Sequence, residues 1–488
     1  MAVIGKSIRG VVAFILLFIP AITYGVDIEV AVGRGPTTLN PLKATDAASV
    51  RMLKLVAPGI IELDSNFEPT SKFLTVFGQR HYKEFYMELK PNVTFGDNSI
   101  LTLDFIKKYY ESILDETNAS PLRGAFKDVE RIEIQGKRLT IHLSKPNPFF
   151  WSALEVSLAK FNANRPEIPV GLGIYNVESF DDYGNLVLNR LDGSQRLVFN
   201  VIKDPVVRYL KLDRGEIDII HNDVSEEILG YGLENGYKII ESPATSYTYM
   251  GFLMESGKTA DFKVRTAISY AINRGEIVKH LLGGRAMPAY SLLSEDHPAH
   301  YRADIHTYNP EKANEILDKA GYKKDVDGMR FKLRLAITSN PFIQRIAQII
   351  QQDLKAVGIN VDISSSEWGT FYGNIKKGNF ESYILTWVGR FQSDIYYNLF
   401  HSSMMPPNGA NRGRYSDETM DKLLEAMMKE TDDEERHKVV GMVQKWQEKD
   451  MIYVPLWKRS HVALVRPEVK DYFMLPDGGY EGLVNTSK

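Results

Sequence analysis

The chain has 488 residues, 44% of them hydrophobic and 25% charged, with a formal net charge of -3 and no cysteine. That length suits about three structural units and a large core, so no disulfide framework is expected or needed. The near-neutral balance points away from nucleic acid and acidic membrane surfaces as partners.

The chain opens with Lys6 and Arg9, an apolar run from Val11 to Ile19, and then Pro20 and the segment Ala21 to Gly25. This three-part plan predicts a secretory signal peptide over 1–25. The run is shorter than the about 20 residues that span a bilayer; the competing reading is an uncleaved anchor. No cysteine follows to carry a lipid. A free protein retained in a periplasm is therefore expected.

Asp27 to Val32 alternate as a half-buried strand, and Gly33-Arg34-Gly35-Pro36 reads as a turn. An amphipathic helix is predicted from Thr45 to about Ile61, a strand over Lys83 to Leu89, and a helix capped by Thr102. Arg131 to Leu143 alternate on both sides of Gln135-Gly136, a hairpin signal. Three more alternating runs fall in 174–202, and Pro205 opens a short helix. In the second half, helices are predicted over Val264 to Ile272, from Asn309-Pro310 to Gly321, over Phe342 to Val357, and over 417–429 and 432–449. Strands alternate with them at Phe331 to Ile337, Ile359 to Ile363 and Tyr383 to Val388. The pattern is α/β, with mixed sheets and helices, and more hairpins in the first half.

No G-x-S-x-G, H-E-x-x-H, P-loop or strand-to-helix G-x-G-x-x-G is present. His297, His300 and His306 share a proline-containing loop without a known metal-ligand spacing, and are read as a solvated loop rather than a metal site. No catalytic residue, metal or cofactor is assigned.

Several ordered segments together resemble the extracytoplasmic peptide-binding proteins, the dipeptide- and oligopeptide-binding receptors of ABC importers with their nickel- and murein-peptide-binding relatives. They are Pro36-Thr37-Thr38-Leu39-Asn40-Pro41, with Asn40 where Asp is usual, Phe85 to Phe95 with Leu101 to Asp104, and Gly171-Leu172-Gly173-Ile174-Tyr175. Arg208, Leu212, Gly215, Glu216 and Asp218 follow, then Val264 to Arg274, the most specific match, and Tyr308 to Ala313 with Ala320-Gly321-Tyr322. The resemblance implies a two-lobed fold that closes on a ligand between the lobes like a flytrap. It implies a lobe I core of 26–47, 163–249 and 459–488, a lobe I subdomain of 48–162, and a lobe II of 250–458. It also implies a monomeric, non-enzymatic, periplasmic binder that hands a small peptide or peptide-like solute to a membrane permease.

In that family a Trp is followed three positions later by an Asp that pairs with the peptide amine. Here Trp387 is kept, but the Asp position is Arg390. A buried cation repels an ammonium. Two readings stay open: Asp394 takes over the amine, or Arg390 binds an anionic or amine-blocked solute through its planar fork. Arg390 as a surface residue, or paired with Asp394, is the bland alternative, and Trp387 as plain strand-end core is another. Tyr247, Trp368 and Arg414 are further ligand-binding candidates, with Tyr249, Glu367 and Arg412 beside them, and Arg34 sits at an early strand end. A secreted hydrolase, or a sensory or chaperone-like binder, are the competing functions.

Overall fold

The computed structural model describes residues 25–64, 67–162, 165–243, 245–303, 306–389 and 391–488. Residues 1–24 of the expected signal peptide, and Arg390, lie outside the described residues.

Two large sheets organise the chain. The first has seven strands, in the order Tyr175–Phe180, Leu186–Arg190, Gln195–Val201, Val26–Val32, Ile219–His221, His461–Val465 and Lys238–Ser242. Val26–Val32 runs parallel to Gln195–Val201 in full register, from Val26 beside Gln195 to Val32 beside Val201. The second has six strands, in the order Ala286–Pro288, Tyr453–Arg459, Tyr247–Phe252, Ser382–Trp387, Phe331–Thr338 and Ile359–Ser366. A four-stranded antiparallel sheet, with Leu74–Arg80, Glu84–Leu89, Arg138–Leu143 and Val129–Gln135 in that order, forms the subdomain.

Local chemistry explains the elements. Asp204, Asn309 and Asn340 each cap a helix whose first residue is proline, where a missing N–H costs nothing. Thr102 accepts the Phe105 N–H at 3.1 Å to start Leu103–Leu114. The hairpin turns at Gly136, whose φ of +60° suits glycine.

The helix expected to reach Ile61 stops at Val56. Pro58 cannot continue it, and a Cβ on Gly59 would lie 2.7 Å from the Glu155 carbonyl oxygen. This helix, within the expected subdomain 48–162 for most of its length, packs Met52, Leu53, Leu55 and Val56 with residues of the seven-stranded sheet.

The chain crosses between the large sheets twice, from Ser242 to Tyr247 and from Arg459 to His461. The boundary expected at 249/250 falls inside Tyr247–Phe252, a strand of the six-stranded sheet. That strand is buried on both faces, so no alternation marks where the lobe begins. The C-terminal tail packs against the seven-stranded sheet. Gln195 Nε2 donates to the carbonyls of Leu483 and Thr486 at 2.9 and 2.8 Å, and Lys488 pairs with buried Asp218 at 2.8 Å. Among the described residues no helix is long and apolar enough to cross a membrane.

Candidate ligand site between the lobes

Strand Ser382–Trp387 delivers Trp387 to the end of the lobe II sheet, where it pairs with Tyr247. Gly389, at φ +125°, turns the chain away. Phe391 then packs edge-on against Trp387, with centroids 6.1 Å apart at 88°. Asp394 heads the short helix Ile395–Phe400 without capping it by its side chain.

The Arg412 guanidinium lies 4.3 Å from the Trp387 ring centroid and 5.3 Å from that of Tyr372. It donates to the Tyr249 and Tyr372 hydroxyls at 3.3 and 3.1 Å. Its loop is fixed by buried Asn411, whose amide donates to the carbonyls of His401 and Tyr415. Gly413 follows because a Cβ there would meet the Phe252 carbonyl at 2.7 Å. Trp368 opens the helix Trp368–Lys377 and stacks on Tyr372 one turn later, at 5.2 Å and 8°. Trp368 is 44% exposed, whereas Arg412 is 9% exposed. Among the described residues no carboxylate pairs with Arg412. The result is a layered wall of Trp368, Tyr372, Arg412 and Trp387, open at one end and cationic within.

Asp394 is the counterpart of opposite sign. It is only partly covered, but crowding strips water from its carboxyl and pushes the pKa up to about 6, against the pull of the Ile395 N–H. No described cation forms an ion pair with it.

Gln392 and Ser393, which precede Asp394 in the chain, line a cavity of about 320 Å³. Phe77, Tyr82, Phe149 and Trp151 of the subdomain line one side, and Gln392 and Ser393 of lobe II line the other. The lobes touch at its rim, where the Tyr82 hydroxyl bonds Asp433 at 3.1 Å and the Arg436 guanidinium lies 5.4 Å from the Phe149 centroid.

The sequence profile of the bacterial extracellular solute-binding proteins, family 5, matches residues 81–405. The chain belongs to that family. It is 26% identical to the dipeptide-binding protein of Escherichia coli over 341 residues, 66% of this chain and 63% of that protein. It is 24% identical to the glutathione-binding protein of Salmonella paratyphi A over 484 residues, 93% of each. The fold is similar to that of NikZ from Campylobacter jejuni, solved in complex with Ni(L-His), with a TM-score of 0.82 and 22% identity over 96% of this chain and 100% of that one.

As a family 5 protein the chain spends its most specific motif on folding. Arg265 is buried and donates to the carbonyls of Met451, Thr259, Ala260 and Asp450 at 2.6–3.0 Å. Arg274 does the same to Pro455 and Ser269 at 2.7 and 2.8 Å. Gly171 and Gly173 sit against the end of helix Ala47–Val56, where Cβ atoms would lie 2.3 and 2.1 Å from the Val56 and Leu55 carbonyl oxygens. The Gly-Leu-Gly spacing is thus a close-packing signal.

The other sequence candidates fall in different places. Trp387, Trp368, Tyr249 and Arg412 are brought together. Tyr247, expected at the ligand, is 1% exposed in the six-stranded sheet and lines a small void of about 20 Å³. Arg414 pairs with Glu255 at 3.6 Å and donates to the Lys377 carbonyl, so its fork is occupied by the fold. Glu367 caps its helix by accepting the Gly369 N–H at 2.8 Å. Arg34 is exposed and lies near Asp46, whose carboxyl is held low chiefly by hydrogen bonds from Ser49 and Thr37 that outweigh its burial. The histidine loop is not solvated throughout: His297 is buried, accepts the Ala299 N–H at 2.9 Å and packs on Phe67 at 4.7 Å, while His306 stacks on Tyr270 at 4.0 Å. Tyr372, Phe391 and the cavity residues were missed by sequence reasoning. The i, i+4 pair Trp368/Tyr372 was the available signal; the cavity had none, because its walls come from distant segments.

Proposed function

We infer that this family 5 protein captures peptides between its lobes and delivers them to the permease of an ABC importer. The observation that carries this reading is Asp394, a partly covered carboxylate whose pKa burial pushes up, with no described cation paired to it, three positions beyond Phe391, which packs on Trp387. Such a group gains most from an ammonium brought in by a ligand. A peptide supplies it as the α-amine. Trp387 and Phe391 offer rings against which the first residues can pack. Arg412 positions Trp387 and Tyr372 and makes the wall electropositive, which suits the peptide's carboxylate end. The names of the dipeptide- and glutathione-binding relatives support the same ligand class.

In this reading lobe I is built from 26–47, 163–249 and 459–488 with the subdomain 48–162, and lobe II from 250–458, adjusted by the few residues noted above. The crossings near 243–246 and 460 act as the hinge. The protein is exported by its N-terminal signal peptide, works as a periplasmic monomer, performs no catalysis and needs no cofactor.

Calorimetry of the ligand-stripped protein with free and N-acetylated tripeptides tests the assignment. Binding of the free peptide, its loss on acetylation, and recovery of the peptide chemically intact are expected. Equal affinity for free and acetylated peptides, or turnover, rejects it.

A further inference from the structure

Two loops of the subdomain reach lobe II, and each does so with a bulky residue in the left-handed backbone region. Phe67 has a φ of +65°, and its ring centroid lies 4.7 Å from that of His297. His81 and Tyr82, at φ +50° and +51°, form the turn between strands Leu74–Arg80 and Glu84–Leu89. Asn and Gly fill such turns readily, whereas a larger side chain crowds its own backbone there. Bulky residues in this region persist only where their surroundings hold them, and they gather at clamps and switches.

The turn is held from within lobe I. The Lys83 N–H donates to the Arg80 carbonyl at 3.0 Å, the Gln79 side chain accepts the Tyr82 N–H at 2.7 Å, and the Asn147 N–H donates to the Tyr82 carbonyl at 2.8 Å. What this strained turn reaches lies in lobe II. The Tyr82 hydroxyl donates to Asp433 at 3.1 Å. The Arg436 guanidinium, paired with Asp433, lies 5.9 Å from the Tyr82 ring centroid and 5.4 Å from that of Phe149. Asp433 and Arg436 share the first turn of helix Asp433–Lys449, which Asp432 caps. Arg436 is buried and also donates to the Glu430 carbonyl at 3.1 Å, so the lobe II half is anchored as well.

Both halves are therefore preset, and every atom of the contact belongs to the chain. A contact between preorganised protein groups needs no ligand, and it favours the lobe arrangement that brings its halves together. We propose that Tyr82, Asp433 and Arg436, backed by Phe67 on His297, form a latch that holds the lobes shut independently of ligand. Ligand entry then waits on release of the latch. The latch depends on the two-lobed fold and not on which solute is bound.

The chain has no cysteine, so Lys137→Cys in the subdomain and Lys422→Cys in lobe II, both at exposed positions, take a donor and acceptor dye pair for single-molecule energy transfer. In the ligand-stripped full chain a dominant closed population is expected. Tyr82→Phe, which removes only the hydroxyl, should lower the closed-to-open ratio by about fivefold. Asp433→Ala should lower it at least as far, and the double variant no further than Asp433→Ala, because both substitutions remove the same bond. A wholly open wild-type population, a ratio unmoved by Tyr82→Phe whatever its melting temperature, or additive losses in the double variant overturns the latch. No peptide enters the measurement, so the peptide reading stands or falls separately.

Discussion

The Arg412 guanidinium rests 4.3 Å from the centroid of the Trp387 ring, with no described carboxylate to balance it. A desolvated cation over indole gains about 2 kcal/mol. That does not recover the several kcal/mol lost in removing an ion from water. Hydrogen bonds from Arg412 to the Tyr249 and Tyr372 hydroxyls offset part of that cost, and an anion from a ligand would offset more.

Arg412→Met is expected to cost about 1–3 kcal/mol, since it leaves the buried Tyr249 hydroxyl without its donor. The same variant should bind a free-carboxylate peptide at least about tenfold more weakly and lose its preference over the C-terminal amide. Thermal melts and calorimetry run side by side check both halves. A fall in stability without a change in the acid-to-amide ratio would make Arg412 purely structural.

Asp394 gives a pH dependence with a definite sign. Its carboxyl titrates near about 6 in the folded, ligand-free protein, above the unfolded value of about 3.9. A ligand ammonium favours the ionised form, so affinity should be full above pH 6 and decline below it, by up to about tenfold per pH unit. Without ligand the sign reverses. The folded state holds the proton more tightly, so this group's contribution to stability falls as pH rises from about 4 to about 6 and is then constant. Asp394→Asn should flatten both curves. Titration of affinity and of melting temperature between pH 4.5 and 8 checks this, and a flat wild-type affinity profile counts against Asp394.

Arg285 joins the lobes near the hinge, 2.5 Å from Glu226 and 3.3 Å from Glu241, both in lobe I. Gly283, at φ +56°, lets the Glu226 carboxylate approach, because a Cβ there would lie 2.1 Å from it. Arg285→Ala removes the cation paired with Glu226 and Glu241 and leaves Glu226 only the charge of Arg459 nearby. A loss of about 2 kcal/mol in chemical denaturation is expected, together with a larger radius of gyration for the liganded protein in solution scattering. An unchanged midpoint would show that the pair is solvated and weak.

Arg265 offers the contrast. It is 2% exposed and donates to four backbone carbonyls. Arg265→Ala leaves those acceptors without a donor and opens a cavity, so a loss of about 3 kcal/mol or more is expected. Arg265→Lys should rescue only part, because one ammonium cannot span four carbonyls. Urea denaturation with and without peptide checks it. Because the residue lies away from the ligand wall, the folded fraction should keep wild-type affinity.

Much of the fold could be read along the chain because its signals are local. Alternation marked Val26–Val32 and the Gly136 hairpin, and Asp, Asn and Thr caps with Pro at the first helical turn set most helix starts. Motif order gave the family, which the profile match bears out. The lobe boundary was less legible, since Tyr247–Phe252 is buried on both faces and carries no mark of its own.

The site was legible only as residue types. Sequence alone singled out Trp387, Trp368, Arg412 and Asp394 as candidates of suitable chemistry, alongside Tyr247 and Arg414, which resemble them in composition but serve the interior and a loop. Only the tertiary structure could separate these groups. Burial, pairing and the facing of Phe77 toward Gln392 across 315 positions depend on where two lobes meet. Local propensity acts over a few residues, whereas the desolvation that raises Asp394 and the void between Phe77 and Gln392 arise from surfaces brought together only when the whole chain has folded.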